Sequence, residues 1–478
     1  MARCFCRWRA VLICVCTPCI CLLLLFSYAV VLMVLTLNGI QVKSEVVNSE
    51  SSVTDSPRFV APGTFNNGIF SSQPKHFWDH RGHRALWNQL QLRADRHFNP
   101  ILNLKKTTNQ QNFNGLDGSF FENMTLFKTT SNFTKLPEQL QRFVSYMDRR
   151  DYPVLLQPGG ECGAQAEGEN ERPLLLFAIK TTEGNFLNRQ AIRQSWGREG
   201  WVRGQWGNGS GGGEAGGYVR RVFLLGKRDS GEPSAAFSLV LKMESDRYGD
   251  MLQWDFHDTF FNLTLKDVLF WRWFSASCGD TAFVFKGDDD VFVNTPKMVA
   301  YLLDQLREPQ AHKATRDFMV GDVIVGAPPS RDDSSKYFIP ENFYRGFYPR
   351  YAGGGGVVYS GLLARRLHRV SQRVHLYPID DVFVGMCMIR LNALPVYHPA
   401  FLTFDFPDQE EQEPCSYHKI LLVHKRSPDQ IRRLWANMTL TRRECGHVPL
   451  RVEKKTSGTP SEDALLEIPA VQIPRLPL

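Results

Sequence analysis

The sequence predicts an α/β fold built on a mixed, mostly parallel central sheet. Three observations predict it. Short apolar runs at PLLLFAIK (Pro173–Lys180), RVFLLG and FVFKGDDD read as buried strands. Helical patterns alternate with them, as parallel strands joined by crossovers require. Three adjacent acids, Asp288, Asp289 and Asp290, stand at the carboxyl end of one strand. Open α/β sheets bind their ligands just outside that end.

Taken in order, the chain opens with Arg3, Arg7 and Arg9 in a short tail, residues 1–9. From Ala10 to Leu37 no residue is charged. As a helix this stretch is long enough to cross a bilayer core of ~30 Å. Lys43 and Glu45 follow, so the positive-inside bias puts the N-terminus in the cytosol and the bulk of the chain across the membrane. A cleaved signal peptide is the rival reading. The run exceeds a normal h-region and lacks a small-x-small cleavage site, which favours an uncleaved signal anchor over 10–37.

Residues 38–75, rich in Ser, Asn, Val and Pro, read as a stem. Residues 76–170 carry helical pieces, HRALWNQLQLRADRHF and LPEQLQRFVSYMDRRDY. They are too fragmentary for an independent domain. The main domain is expected over 171–445. After the first strand comes a helix, RQAIRQSWG, closed by Gly197. GNGSGGGEAGG is a flexible loop that lacks the strand–GxxxxGK[ST]–helix frame of a phosphate cradle. DTFFNLTLKDVLFWRWFSASC reads as an amphipathic helix capped by Asp258 or Thr259, its aromatic stripe facing the core. In KYFIPENFYRGFYPRYAGGGGVVYSG, Tyr351, Gly353, Gly354 and Gly355 read as a pocket wall that lets backbone approach a ligand. LYPIDDVFVGMCM opens a further helix, and residues 446–478 form a Pro-rich, polar tail expected to be disordered.

The net charge of +7 is spread along the chain with no basic block interleaved with aromatics, which excludes nucleic acid as the expected partner. Six of the eleven cysteines, Cys4, Cys6, Cys14, Cys16, Cys19 and Cys21, lie at the cytosolic edge or in the apolar run. A membrane helix has no room for a zinc site there. Cys4 and Cys6 fit reversible palmitoylation, and the others serve equally as apolar filler. Cys162, Cys278, Cys387, Cys415 and Cys445 fall in the expected lumen, where some would pair. Sequons begin at Asn123, Asn132, Asn208, Asn262 and Asn437, all on that same side.

The acid triplet poses a physical problem. Three uncompensated anions at one strand end repel one another and resist desolvation. A hard divalent cation removes the difficulty and would recruit a diphosphate. Read alone, the triplet could equally be a solvated acidic loop. A second pair, Asp380-Asp381, begins a helix. One acid there suffices as an N-cap, worth ~1 kcal/mol, and the other is free as a candidate general base.

The ordered set AIK, RQAIRQSWG, RVFLLG, DTFFNLTLK, FVFKGDDDVFVN, YAGGGG and YPIDDVFVGMC resembles glycosyltransferase family 31, from about Trp87 to Cys445. Within it, FNPIL, LPEQLQRF, YAGGGG and EPCSYHKILLVHK are most similar to the N-acetyllactosaminide β-1,3-N-acetylglucosaminyltransferases. The Gly-rich insertion, the long tail and a cysteine missing from YMDRRDYP depart from the family pattern.

The resemblance implies a GT-A fold and a type II Golgi anchor. It implies inverting transfer of GlcNAc from UDP-GlcNAc to terminal galactose on lactosamine-type glycans of glycoproteins or glycolipids. Asp290 would ligate Mn²⁺ or Mg²⁺, with His424 as second ligand and His398 as a weaker choice. Asp288 and Asp289 would face the ribose and sugar of the donor, Lys180 and Arg193 would lie near the nucleotide, and Asp381 would be the base, ionised at its ordinary pKa. Disulfides Cys162–Cys278 and Cys387–Cys415 are implied, with Cys445 left over, as are homo- or hetero-oligomers with other Golgi transferases. A β-1,3-galactosyltransferase using UDP-Gal and a catalytically silent homologue acting as a chaperone are the alternatives.

Overall fold

The computed structural model describes residues 85–98, 131–160, 162, 172–206, 215–228, 235–278, 280–307, 315–407 and 409–452. The expected anchor, the stem and the tail beyond Val452 lie outside them. Among the described residues no helix is long and apolar enough to cross a membrane.

The strands are β1 (Val154–Leu156), β2 (Leu175–Lys180), β3 (Gly200–Arg203), β4 (Gly216–Lys227), β5 (Met251–His257), β6 (Phe283–Asp288), β7 (Phe292–Val293), β8 (Met319–Gly321), β9 (Val323–Ile324), β10 (Tyr351–Ala352), β11 (Gly356–Ser360), β12 (Val396–Tyr397), β13 (Phe401–Leu402) and β14 (Leu422–Val423). Among the described residues the main sheet runs β1-β5-β4-β2-β6-β11-β8-β12, with β3 on β4. Its middle, β5-β4-β2-β6, is parallel, and β11 joins β6 antiparallel. The mixed, mostly parallel sheet is therefore present.

The helices are α1 (Leu86–Phe98), α2 (Glu138–Tyr146), α3 (Phe186–Gln194), α4 (Ala235–Tyr248), α5 (Leu263–Ser277), α6 (Thr295–Arg307), α7 (Gly361–Ser371), α8 (Asp380–Arg390) and α9 (Pro428–Leu440). Apolar side chains pack on both faces of the sheet. One cluster joins α1, α2, α5, α7 and α8, and the other includes Phe177, Trp196 and Phe285 in edge-to-face contact. β2 is buried at every residue, as a parallel strand covered on both faces must be.

Several expectations change. The fragmentary N-terminal helices are part of this core: Trp87 Nε1 donates to the Leu376 carbonyl, and Arg390 pairs with Asp95 at 2.8 Å. α5 is buried almost all round rather than amphipathic. The 3-10 turn Phe260–Asn262 that leads into it has Thr259 at its N-cap position, as expected, and α5 itself has Asn262. Asp258 serves elsewhere, accepting from Lys266 Nζ and Gly226 N. The tail begins later than expected, because Arg451 is tied to Lys419, Glu410 and Pro399. The β3–β4 hairpin flanks the Gly-rich stretch, of which 207–214 lie outside the described residues.

Cys162 joins Cys278. The expected Cys387–Cys415 bridge is replaced by Cys415–Cys445. Cys387 is a free thiol on the inner face of α8, fully buried in the core, whereas Cys415 sits in a surface turn beside the end of the domain. Among the sequons, Asn437 is exposed on α9, Asn132 lies in a short helical turn and Asn262 donates to the His257 carbonyl. Asn123 and Asn208 lie outside the described residues.

Candidate active site

The site lies at the carboxyl ends of β2 and β6. Their parallel register sets Lys180 directly opposite Asp288. Lys180 Nζ lies 3.1 Å from Asp288 Oδ1 and 2.7 Å from Asp380 Oδ2. Burial disfavours charge on this lysine, but Asp288 and Asp380 outweigh it and hold the pKa well above the usual lysine range.

His424 reaches the acids through a small second sheet. β14 pairs antiparallel with β7, immediately after the triplet, and parallel with β13. This carries His424 Nε2 to 3.1 Å from Asp290 Oδ1 and 3.7 Å from Asp288 Oδ2. His424 Nδ1 lies 3.1 Å from the Thr403 carbonyl and donates to it. In the neutral ring that bond leaves Nε2 free to ligate, the usual second-shell arrangement of a ligating histidine. Without a cation, burial would lower the pKa of His424, but the Asp290 carboxylate outweighs it and raises the pKa. One ligand atom each from Asp288, Asp290 and His424 lies within 4.8 Å of the others. Two carboxylates and an imidazole fit a divalent cation. His398 is no part of this group: its Nδ1 accepts from Ala400 N, and its ring packs on Tyr301.

The glycine run packs against both the candidate cation ligands and Asp381. A Cβ at Gly354 would lie 2.5 Å from Asp381 Oδ2, and one at Gly355 would lie 3.0 Å from the His424 ring. Gly353 likewise backs onto Thr403, and Tyr351 lies close enough to Asp381 to feel its charge. A side chain at Gly353 or Gly354 would thus force Thr403 or Asp381 to shift, and one at Gly355 would crowd His424.

Asp289 does something other than expected. It is 7% exposed, and its carboxylate accepts from Thr181 Oγ1, Asn185 Nδ2 and Asn188 Nδ2. It pins the loop after β2 to the acid turn. Burial first, and the charges of Asp290 and Asp288, push it up to about 6 against those hydrogen bonds. Arg193 is likewise engaged elsewhere, its guanidinium paired with Glu244 at 2.6 Å and Asp250 at 2.7 Å in the packing of α3 on α4.

Asp380 and Asp381 occupy the first turn of α8, whose N-cap is Ile379, so neither acid is the cap. Burial would raise Asp380, but Lys180 and Lys286 hold it far below the usual carboxylate range. Asp381 goes the other way. Burial and the adjacent Asp380 push it up to about 8, against Lys286 and Lys180. The ordinary pKa expected for Asp381 thus gives way to one raised by burial and by Asp380.

The galactosyltransferase family pattern matches residues 187–398. N-acetyllactosaminide beta-1,3-N-acetylglucosaminyltransferase 2 from Mus musculus is 43% identical over 76% of this chain and 86% of its own. The Homo sapiens protein of that name is 41% identical with the same coverage. This chain belongs to glycosyltransferase family 31. A further family relative, UDP-GlcNAc:betaGal beta-1,3-N-acetylglucosaminyltransferase 7 from Rattus norvegicus, is 39% identical over 63% of this chain and 72% of its own. The solved WbbM bifunctional glycosyltransferase aligns over 60% of this chain and 54% of its own at 11% identity, and its TM-score of 0.30 carries no argument.

Sequence reasoning missed Asn185, Asn188, Lys286 and Asp267. Asn185 and Asn188 stand in TTEGNFLNR, a polar loop after a buried strand, which is the signal that could have found them.

Proposed function

We propose that this chain transfers GlcNAc, with inversion, from UDP-GlcNAc to the 3-hydroxyl of terminal β-galactose on lactosamine-type glycans. The observation that carries this reading is Asp381. It is a carboxylate whose pKa is raised by burial and by Asp380, and Gly354 and Gly355 back onto it and onto His424 respectively. The names of the relatives support GlcNAc as the transferred sugar and galactose as its receiver.

Asp381 takes the proton of the acceptor hydroxyl. The freed oxygen pair forms the bond to the anomeric carbon from the face opposite the diphosphate. The bond from that carbon to the phosphate oxygen breaks, and UDP leaves with the electron pair. One displacement turns an α-linked donor into a β-linked product. Asp288, Asp290 and His424 would hold the cation, which offsets charge on the diphosphate, and manganese suits their donor set. Lys180 holds Asp288 and Asp380 in place and keeps Asp380 ionised. The charge-free run from Ala10 to Leu37 and the arginines before it support a type II Golgi anchor.

The test supplies a lactosamine acceptor and Mn²⁺ with either UDP-GlcNAc or UDP-Gal and determines the product linkage by NMR. A β-1,3-linked GlcNAc product, with UDP-Gal used at under about a tenth of that rate, is expected. Preference for UDP-Gal would make the enzyme a galactosyltransferase. Turnover of neither donor would leave the silent-homologue reading.

A further inference from the structure

Beneath Asp381 lies a buried ion pair between Lys286 and Asp267. Lys286, on β6, is 2% exposed, and its Nζ donates to Asp267 Oδ2 on α5 at 2.7 Å. Asp267 is fully buried on the same helix as Trp271 and Phe274, near enough to Tyr359 to act on its hydroxyl. Removing two ions from water costs several kcal/mol each, and apolar replacement of such pairs is often neutral or stabilising. Stability alone is thus a poor reason for a salt bridge in the middle of an aromatic core.

Its position gives a better reason. From Lys286 Nζ it is 3.6 Å to Asp380 Oδ2 and 3.9 Å to Asp381 Oδ1. Among the described residues, Lys286 is the one cation within 4.0 Å of the Asp381 carboxylate. Lys180 is engaged by Asp380 and Asp288. The second Asp381 oxygen, Oδ2, faces Gly354. The carboxylate therefore has the ammonium on one side and Gly354 on the other. Around it stand Asp380 from its own helix, Lys286 and Asp288 from β6, Lys180 from β2 and Tyr351 from β10.

We propose that Lys286, held from below by Asp267, is a positioning residue for the base Asp381. It orients Oδ1 and supplies the nearest positive charge to the ionised carboxylate. During transfer the proton moves from the acceptor hydroxyl to Asp381, and Lys286 keeps all its own protons. The proposal rests on Asp381 being the base.

The test compares Lys286→Met with the double variant Lys286→Met/Asp267→Leu, which removes both charges of the pair. Both should lose at least about thirtyfold in kcat with the KM for UDP-GlcNAc within about threefold, because the donor site is untouched. The double variant should regain the melting temperature that the single one loses, without regaining kcat. Recovery of kcat together with stability would overturn the proposal, since the pair would then be structural. A single variant within about threefold of wild-type kcat would overturn it too, as would failure of both variants to fold. The same enzymes are also assayed for hydrolysis of UDP-GlcNAc by water. If wild type hydrolyses but does not transfer to lactosamine, the acceptor reading fails while hydrolysis still reads the role of Lys286. Wild type that turns over no UDP-sugar refutes both.

Discussion

Lys180 donates a 2.7 Å hydrogen bond to Asp380. Because its Nζ also lies 3.1 Å from Asp288, one buried ammonium ties the helix that bears Asp381 to the strand end that bears the candidate cation ligands. Breaking a buried pair from one side leaves an uncompensated charge. Lys180→Met should therefore lower stability by about 3 kcal/mol or more and also weaken UDP binding. Thermal unfolding with and without UDP checks both, and a variant with wild-type melting and affinity would contradict the account.

A base must act as the carboxylate, and burial with Asp380 raises the Asp381 pKa to about 8. On the proposed assignment of Asp381 as the base, its deprotonation limits the rate. The working form therefore grows as pH rises. Below the midpoint kcat/KM should climb about tenfold per pH unit and level off above it. A cation at the site should draw the midpoint downward as Mn²⁺ is raised. Profiles at two Mn²⁺ concentrations test this, and a flat profile through pH 6 to 8 at low Mn²⁺ would contradict it.

Asp290→Ala removes one of the candidate ligands and leaves the Nε2 of His424 without its 3.1 Å partner. Mn²⁺-dependent binding of UDP should fall by about a hundredfold or more. Calorimetry with UDP, with and without Mn²⁺, is the measurement. Unchanged binding would place the metal elsewhere.

Cys415 and Cys445 are 30 residues apart in sequence and close a loop at the end of the domain. Chain-entropy arguments give such a bridge about 3–4 kcal/mol, and Cys445→Ser should lose about that much. Peptide mapping without reduction should recover Cys415 joined to Cys445, with Cys387 reactive only after denaturation. A peptide joining Cys387 to Cys415 would reverse the assignment.

What was legible in the sequence is what short-range patterning carries. Buried strands such as LLFAIK and FVFKGD show as apolar runs, and the acids at the strand end mark the site because topology puts ligands there. Asp381 was legible as a spare carboxylate, but its basicity was not, since it depends on the burial of α8 and on the engagement of Asp380 by two lysines from other strands. Asp289 looked like its neighbours until the loop after β2 folded over it. Arg193 and Cys387 were misplaced for the same reason. Each finds its surroundings in a helix packing partner that no local pattern specifies.

The most direct test is Asp381→Asn, assayed for transfer from UDP-GlcNAc to lactosamine alongside calorimetric binding of UDP with Mn²⁺. The amide keeps the shape of the side chain but cannot accept the acceptor proton. Transfer should fall by about a thousandfold or more while UDP binding stays within about threefold. Transfer within about tenfold of wild type would contradict the assignment of Asp381 as the base.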